Sequence, residues 1–152
     1  MDKQYHPTEI EEKWAKVWSE RKVKNESSTE SFSQVIPPPN VTGTLHMGHS
    51  FQYAIMDFYT RYNHMAGKDS YWQVGSDHAG IATQMVVENN LAKKDITRKD
   101  LGREKFLEEV WSWKNYSEEK ITSQIKRLGN TVDWNKYRFT LDDNFNEAVI
   151  KA

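Results

Sequence analysis

The chain has 152 residues, 37% hydrophobic and 28% charged, with no cysteine and a formal net charge of −1. That balance excludes a disulfide scaffold, a thiolate nucleophile, a Cys-built zinc site and an overall basic field for nucleic acid. No apolar run approaches the roughly 20 residues that span a bilayer, and the start Met1-Asp2-Lys3-Gln4-Tyr5-His6 lacks a signal peptide's apolar core, so a cytoplasmic protein is expected.

A first amphipathic helix is predicted from Pro7-Thr8-Glu9, with Ile10, Trp14, Val17 and Trp18 at helical spacing and Arg21 and Lys22 at its basic end. Residues 25–31 are a polar surface connection. Residues 32–36 read as a short strand, ended by Pro37-Pro38-Pro39, which cannot donate to a ladder. The next helix, about 45–66, carries Phe51, Ile55, Phe58, Tyr62 and Met65 on one stripe, with Thr44 as N-cap and Gly67 as its stop. Tyr71-Trp72-Gln73-Val74 reads as a buried strand with Gly75 at its end, and a helix follows over about 81–93. Thr97 and Asp100 have capping-box spacing and open a long helix that Gly129 ends, with Leu101, Leu107, Val110, Trp111, Ile121, Ile125 and Leu128 recurring along it. Val132-Asp133-Trp134 and residues 137–140 look extended, and a last helix opens near Asp142-Asp143. Strands alternating with helices argue for an α/β fold with a parallel sheet.

Two stretches carry chemistry. His46 and His49 flank Gly48 in the first turn of the second helix. The N–H groups there and the positive dipole end favour a phosphate, and imidazole donors would follow charge developing on it. Gly48 would let a flat ring approach the backbone. The same pair could be an ordinary helix surface, or two ligands of a metal whose remaining ligands (His64 or His78) have no support. Asp77 follows a strand and Gly75, at the edge where parallel sheets place ligands, and could bind an ammonium group. It could equally cap the helix near Ile81, while His78 and Gln84 could be polar residues near a cleft. The tryptophans and tyrosines are assigned to packing, and Lys93-Lys94 and Lys126-Arg127 to solvated helix faces.

Taken together, these residues resemble the N-terminal part of the class I aminoacyl-tRNA synthetases, and within them the valine-specific branch. Pro37 to His49 is similar to the family's proline-rich strand end and "HIGH" signature, here His46-Met47-Gly48-His49. Gly75-Ser76-Asp77-His78-Ala79-Gly80-Ile81-Ala82-Thr83-Gln84 resembles a block with Thr in place of Ser76. The isoleucine branch usually carries Gly-Trp-Asp-Cys-His there. Gly129-Asn130-Thr131-Val132-Asp133-Trp134 and Arg138-Phe139-Thr140 resemble the segment before the editing insertion, and Tyr5-His6-Pro7 and Glu12-Lys13-Trp14 also fit.

The resemblance implies the first half of a Rossmann-like doubly wound parallel sheet over residues 32–152. An N-terminal helix and linker (1–31) would precede it, and it would include a long helical hairpin-like region. It implies ATP-dependent activation of valine and transfer to valine tRNA, with Mg²⁺ accompanying ATP and no dedicated metal cage. His46 and His49 would be catalytic. Thr44, His46, Gly48 and His49 would bind ATP, and Pro38, Asn40 and Asp77 the amino acid. The family's Lys-Met-Ser-Lys-Ser signature and its editing, anticodon-binding and coiled-coil regions are not in the sequence. The chain is therefore expected to be a piece of a monomeric parent, prone to self-association. The alternative is a non-catalytic ATP-binding or structural piece.

Overall fold

The structure, a computed structural model, describes residues 4–20 and 28–152. Arg21 and Lys22, expected at the basic end of the first helix, and residues 25–27 of the polar connection lie outside the described residues. The chain forms two compact units. One takes Met1–Ile36, His46–Val74 and Ser123–Lys136; the other takes Pro37–Leu45, Gly75–Thr122 and Tyr137–Ala152.

In the first unit, helix α1 (Pro7–Ser19) opens on a proline, whose missing N–H costs nothing at a helix start. Strand β1 (Ser31–Val35) pairs in parallel with β2 (Asp69–Gln73), Ser31 opposite Asp69 and Val35 opposite Gln73. Helix α2 (Met47–Met65) connects them and packs on both, as a parallel pair requires. Its buried face is polar. Tyr53 and Thr60 are inaccessible, and Gln34 of β1 donates from Nε2 to Thr60 Oγ1 and to the Met56 carbonyl, both at 2.5 Å. The apolar stripe read from the sequence lies on the open side instead, Phe51 being 71% and Met65 87% exposed. Arg61 ties α2 to residues after the long helix. It donates to Asp57 at 2.6 Å and to the Gly129 carbonyl at 2.6 Å, while its guanidinium lies over Trp18. Gly129, at φ 72°, stops that helix as expected, and a side chain there would collide with the Trp18 ring.

In the second unit, β3 (Gly75–Ser76) pairs in parallel with β4 (Arg138–Phe139), and Asn40 bridges in parallel to Asp77. Helix α3 (Ile81–Ala92) follows β3. Helix α4 spans Arg98–Arg127 but is broken at Gly102, whose φ of 75° and ψ of 173° are not helical. Its capping box is real. Asp100 Oδ2 accepts from the Thr97 N–H at 2.8 Å and from the Thr97 hydroxyl at 2.6 Å, and these bonds hold the Asp100 carboxyl below its ordinary value.

Residues 134–136 form a 3₁₀ turn, so Val132-Asp133-Trp134 is not extended as expected; the Val132 N–H already turns back to the Asn130 carbonyl. Helix α5 (Asp143–Lys151) closes the described chain. All strand pairings are parallel, and the fold is α/β, a partial Rossmann-like arrangement. Among the described residues no helix is long and apolar enough to cross a membrane.

Gly75 faces the Arg138 backbone carbonyl so closely that a methyl group cannot be accommodated, whereas nothing lies within 4 Å of a methyl at Gly43. Gly75→Ala is predicted to destabilise the protein by about 1–3 kcal/mol, while Gly43→Ala is neutral or slightly stabilising. Urea unfolding of both variants checks this; equal losses would contradict the β3–β4 packing described.

Candidate active site

The first group of candidate residues sits at the start of α2, and the helix begins later than the sequence suggests. His46, extended at φ −117° and ψ 172°, is the N-cap, not Thr44. Thr44 and Leu45 precede the first helical residue, Met47, so the Thr44 hydroxyl is not at the capping position. It is exposed and makes no hydrogen bond among the described residues.

The cap is reciprocal. His46 Nδ1 accepts from the Gly48 N–H at 3.1 Å, and His49 Nδ1 accepts from the His46 N–H at 3.2 Å. The rings overlap, centroids 3.9 Å apart. A methyl group on Gly48 would lie 2.9 Å from His46 Cε1, so the glycine is what lets the imidazole fold over its own helix.

This geometry fixes the tautomer. An imidazole nitrogen that accepts carries no proton, so each neutral ring bears its hydrogen on Nε2. Burial, and then the neighbouring His46, push the His49 pKa below its ordinary 6.5, which keeps the accepting form at neutral pH. The N–H groups expected to meet a phosphate directly are therefore partly spoken for. The groups left to donate are the two Nε2–H bonds. Behind them His49 packs against Tyr53, whose hydroxyl is pushed up to about 12 by burial.

The second group is built on β3 and its neighbours. Asp77 donates its N–H to the Pro39 carbonyl at 2.9 Å and accepts from the Val41 N–H at 2.9 Å, which lays residues 39–41 alongside it. The Val41 and Gly43 carbonyls in turn accept from Trp113 Nε1 and the Ser117 hydroxyl, both at 2.9 Å. Asn40 and Asp77 are thus brought together. Pro38 is exposed on the same loop.

Asp77 does not cap α3. Gly80 holds that position, at φ 48° and ψ −113°. Asp77 Oδ1 accepts instead from the Ala79 N–H and the Thr140 hydroxyl, both at 3.1 Å. Ala79 itself sits at φ 53°, a conformation that costs a side-chain-bearing residue about 1–2 kcal/mol.

Sequence reasoning missed three residues here. Thr140 meets both Asp77 and His78. Glu118 accepts from the Ser76 hydroxyl at 3.1 Å and the Tyr137 hydroxyl at 3.0 Å, and pairs with Lys114 at 2.7 Å. Burial, with the carboxylate beside it, raises the Tyr137 pKa, so it remains a donor. No spacing rule links residues so far apart. Gln84 is engaged within α3, donating to Glu88 at 2.8 Å.

The imidazole pair belongs to the first unit and the Asn40–Asp77 group to the second. Among the described residues no three His, Asp or Glu side chains gather as metal ligands.

The sequence profile of the class I tRNA synthetases (I, L, M and V) matches residues 9–152. The chain belongs to that family. A valine–tRNA ligase of Acinetobacter baylyi is 58% identical over 146 residues, covering 95% of this chain and 15% of the relative. The chain thus spans about 15% of the length of this curated relative. Among solved structures, a ternary complex of the Agrobacterium radiobacter LeuRS with tRNA and LeuAMS superposes with a TM-score of 0.72 at 19% identity, over 93% of this chain and 17% of that one. This likeness shows that the class I synthetase fold is shared.

Because the His49 pKa is lowered, its contribution to stability is complete above pH 6.5 and is lost as pH falls through the lower folded value. Urea unfolding between pH 8 and 5 should show a loss on acidification that is smaller in His49→Asn. Identical pH slopes in the two proteins would contradict the neutral cap.

Proposed function

We propose that this chain carries ATP- and amino-acid-binding parts of a valine–tRNA ligase. Supporting this is the 58% identity to a valine–tRNA ligase along nearly the whole chain, with a helix start that offers two Nε2–H donors. In the proposed reaction the valine carboxylate attacks the α-phosphate of ATP. An O–P bond forms, the bond to pyrophosphate breaks, and valyl-adenylate results. The aminoacyl group then passes to the 3′ end of valine tRNA, releasing AMP.

His46 and His49 would donate from Nε2 to phosphate oxygens, where the charge they meet grows during transfer. Gly48 would keep that surface low for the nucleotide, and Thr44 would lie beside the phosphates. Pro38 and Asn40 would line the valine pocket, and Asp77 would hold the α-ammonium. Mg²⁺ enters with ATP as part of the substrate. On this reading residues 32–152 are the first half of the catalytic domain, residues 1–31 precede it, and the full-length protein works in the cytoplasm as a monomer.

The test is amino-acid-dependent ATP–pyrophosphate exchange in the full-length synthetase carrying this segment. Valine should drive exchange and isoleucine should not at equal concentration. His46→Asn keeps an acceptor for the Gly48 N–H but brings its donor closer to the backbone than the imidazole Nε2, short of the phosphate, and should lower kcat about 10²–10³-fold. Asp77→Asn should instead raise the KM for valine about 10- to 100-fold. Exchange driven equally by isoleucine, or the same kinetic defect in both variants, would overturn the assignment.

A further inference from the structure

The carboxylate proposed to receive the amino group is not held by its own loop alone. Ser76 is paired with Phe139 in the parallel β3–β4 ladder, so the next register position sets Asp77 beside Thr140. Directly paired residues of a parallel ladder project to the same face. The Thr140 N–H continues the ladder by donating to the Ser76 carbonyl at 3.1 Å. On the other flank Asp77 is bridged to Asn40. Its side chain therefore leaves between the Asn40 bridge and the end of the β3–β4 ladder, with Thr140 as its neighbour.

The hydroxyl of Thr140 has three contacts. It lies 3.1 Å from Asp77 Oδ1, 2.9 Å from the His78 backbone nitrogen and 2.6 Å from His78 Nδ1. A threonine hydroxyl has one hydrogen to give and two lone pairs. The backbone N–H can only donate, and the ionised carboxylate can only accept. The remaining contact is satisfied when His78 donates from Nδ1. With that assignment the one hydrogen and both lone pairs of the Thr140 hydroxyl are each used once. The Asp77 carboxylate is then held through Oδ1 by the Thr140 hydroxyl, the Ala79 N–H and His78 Nδ1 at 3.3 Å, and none of these contacts falls on Oδ2.

We propose that Thr140 is the positioning residue for amino-acid recognition: its hydroxyl pins Asp77 Oδ1 so that Oδ2 is presented to the substrate's α-ammonium. The inference rests on the assignment of Asp77 above. Thr140 does not touch the substrate. It acts by pre-orienting a carboxylate that would otherwise swing about its side-chain torsions, and so it sets affinity for the amino acid and not for the nucleotide. The turn containing Ala79 at φ 53° brings the Ala79 N–H to the same oxygen.

The test compares Thr140→Val, which keeps the shape and removes the hydroxyl, with Thr140→Ser, which keeps the hydroxyl, in the full-length synthetase carrying this segment. Pyrophosphate exchange is measured against valine and ATP separately, beside Asp77→Asn, with thermal unfolding of each variant. Thr140→Val should raise the KM for valine about tenfold, the size of one lost hydrogen bond to a charged group, while the KM for ATP stays within about twofold. Thr140→Ser should recover most of the valine affinity even where it does not recover thermal stability. A Thr140→Val enzyme with unchanged valine KM, beside an impaired Asp77→Asn, would overturn the positioning role alone. Unchanged valine KM in both would overturn the Asp77 assignment and the positioning role with it. Parallel losses toward valine and ATP without rescue by serine would reduce Thr140 to a structural contact.

Discussion

Parallel pairing is the constraint on which this chain is organised. A parallel pair cannot be closed by a hairpin, so each strand must be followed by a crossover, and both strands of a pair open their carboxyl ends at the same edge. In the first unit the crossover element is α2. In the second, everything from α3 to the 3₁₀ turn separates β3 from β4, yet residues 63 apart in sequence, Asp77 and Thr140, emerge side by side. The chemistry-bearing residues past each strand are placed by the register, and the helices make that register possible.

Charge is handled differently in the two units. At the start of α2 two imidazoles lie 3.9 Å apart, a spacing at which two cations would repel. Both accept at Nδ1 and so serve the protein as caps, which leaves Nε2 as the donor of each neutral ring. A protonated ring would attract a phosphate more strongly but would abandon the backbone N–H it covers. Neutrality therefore preserves geometry at the expense of field. Asp77 has Oδ1 engaged by the Ala79 N–H, the Thr140 hydroxyl and His78 Nδ1, contacts that do not fall on Oδ2. Behind it the Ser76–Tyr137–Glu118–Lys114 network anchors β3 to α4 through side chains that are nearly all satisfied within the protein.

Much of this was legible in the sequence, for physical reasons. The proline-ended strand, the stop at Gly67 with φ 88° and the box of Thr97 with Asp100 are local effects, and each is present. The aspartate serves as well as a glutamate because its oxygen reaches the Thr97 N–H directly. What was not legible depends on less local geometry. Histidine is absent from the usual ranking of N-caps, so the sequence pointed to Thr44; only the ring folded over Gly48 shows that His46 takes the role. Gly102 inside a helical pattern reads as tolerated, yet its backbone breaks α4. Strands of two residues such as β3 and β4 are too short to have a period, so the seam that aligns Asn40, Asp77 and Thr140 had no signature. The α2 stripe showed a helix correctly but not which side the strands would cover, because that side is polar and relies on Gln34 and Thr60.

Nitrogen-15 spectroscopy of the imidazoles tests the reciprocal histidine cap most directly. At pH 7.5 the rings of His46 and His49 should both show a bare, accepting Nδ1 and a protonated Nε2, and titration with MgATP in the full-length synthetase should move the Nε2 resonances while leaving Nδ1 in place. Either ring found carrying its proton on Nδ1, or found as a cation at that pH, would contradict the cap and the phosphate-facing role built on it.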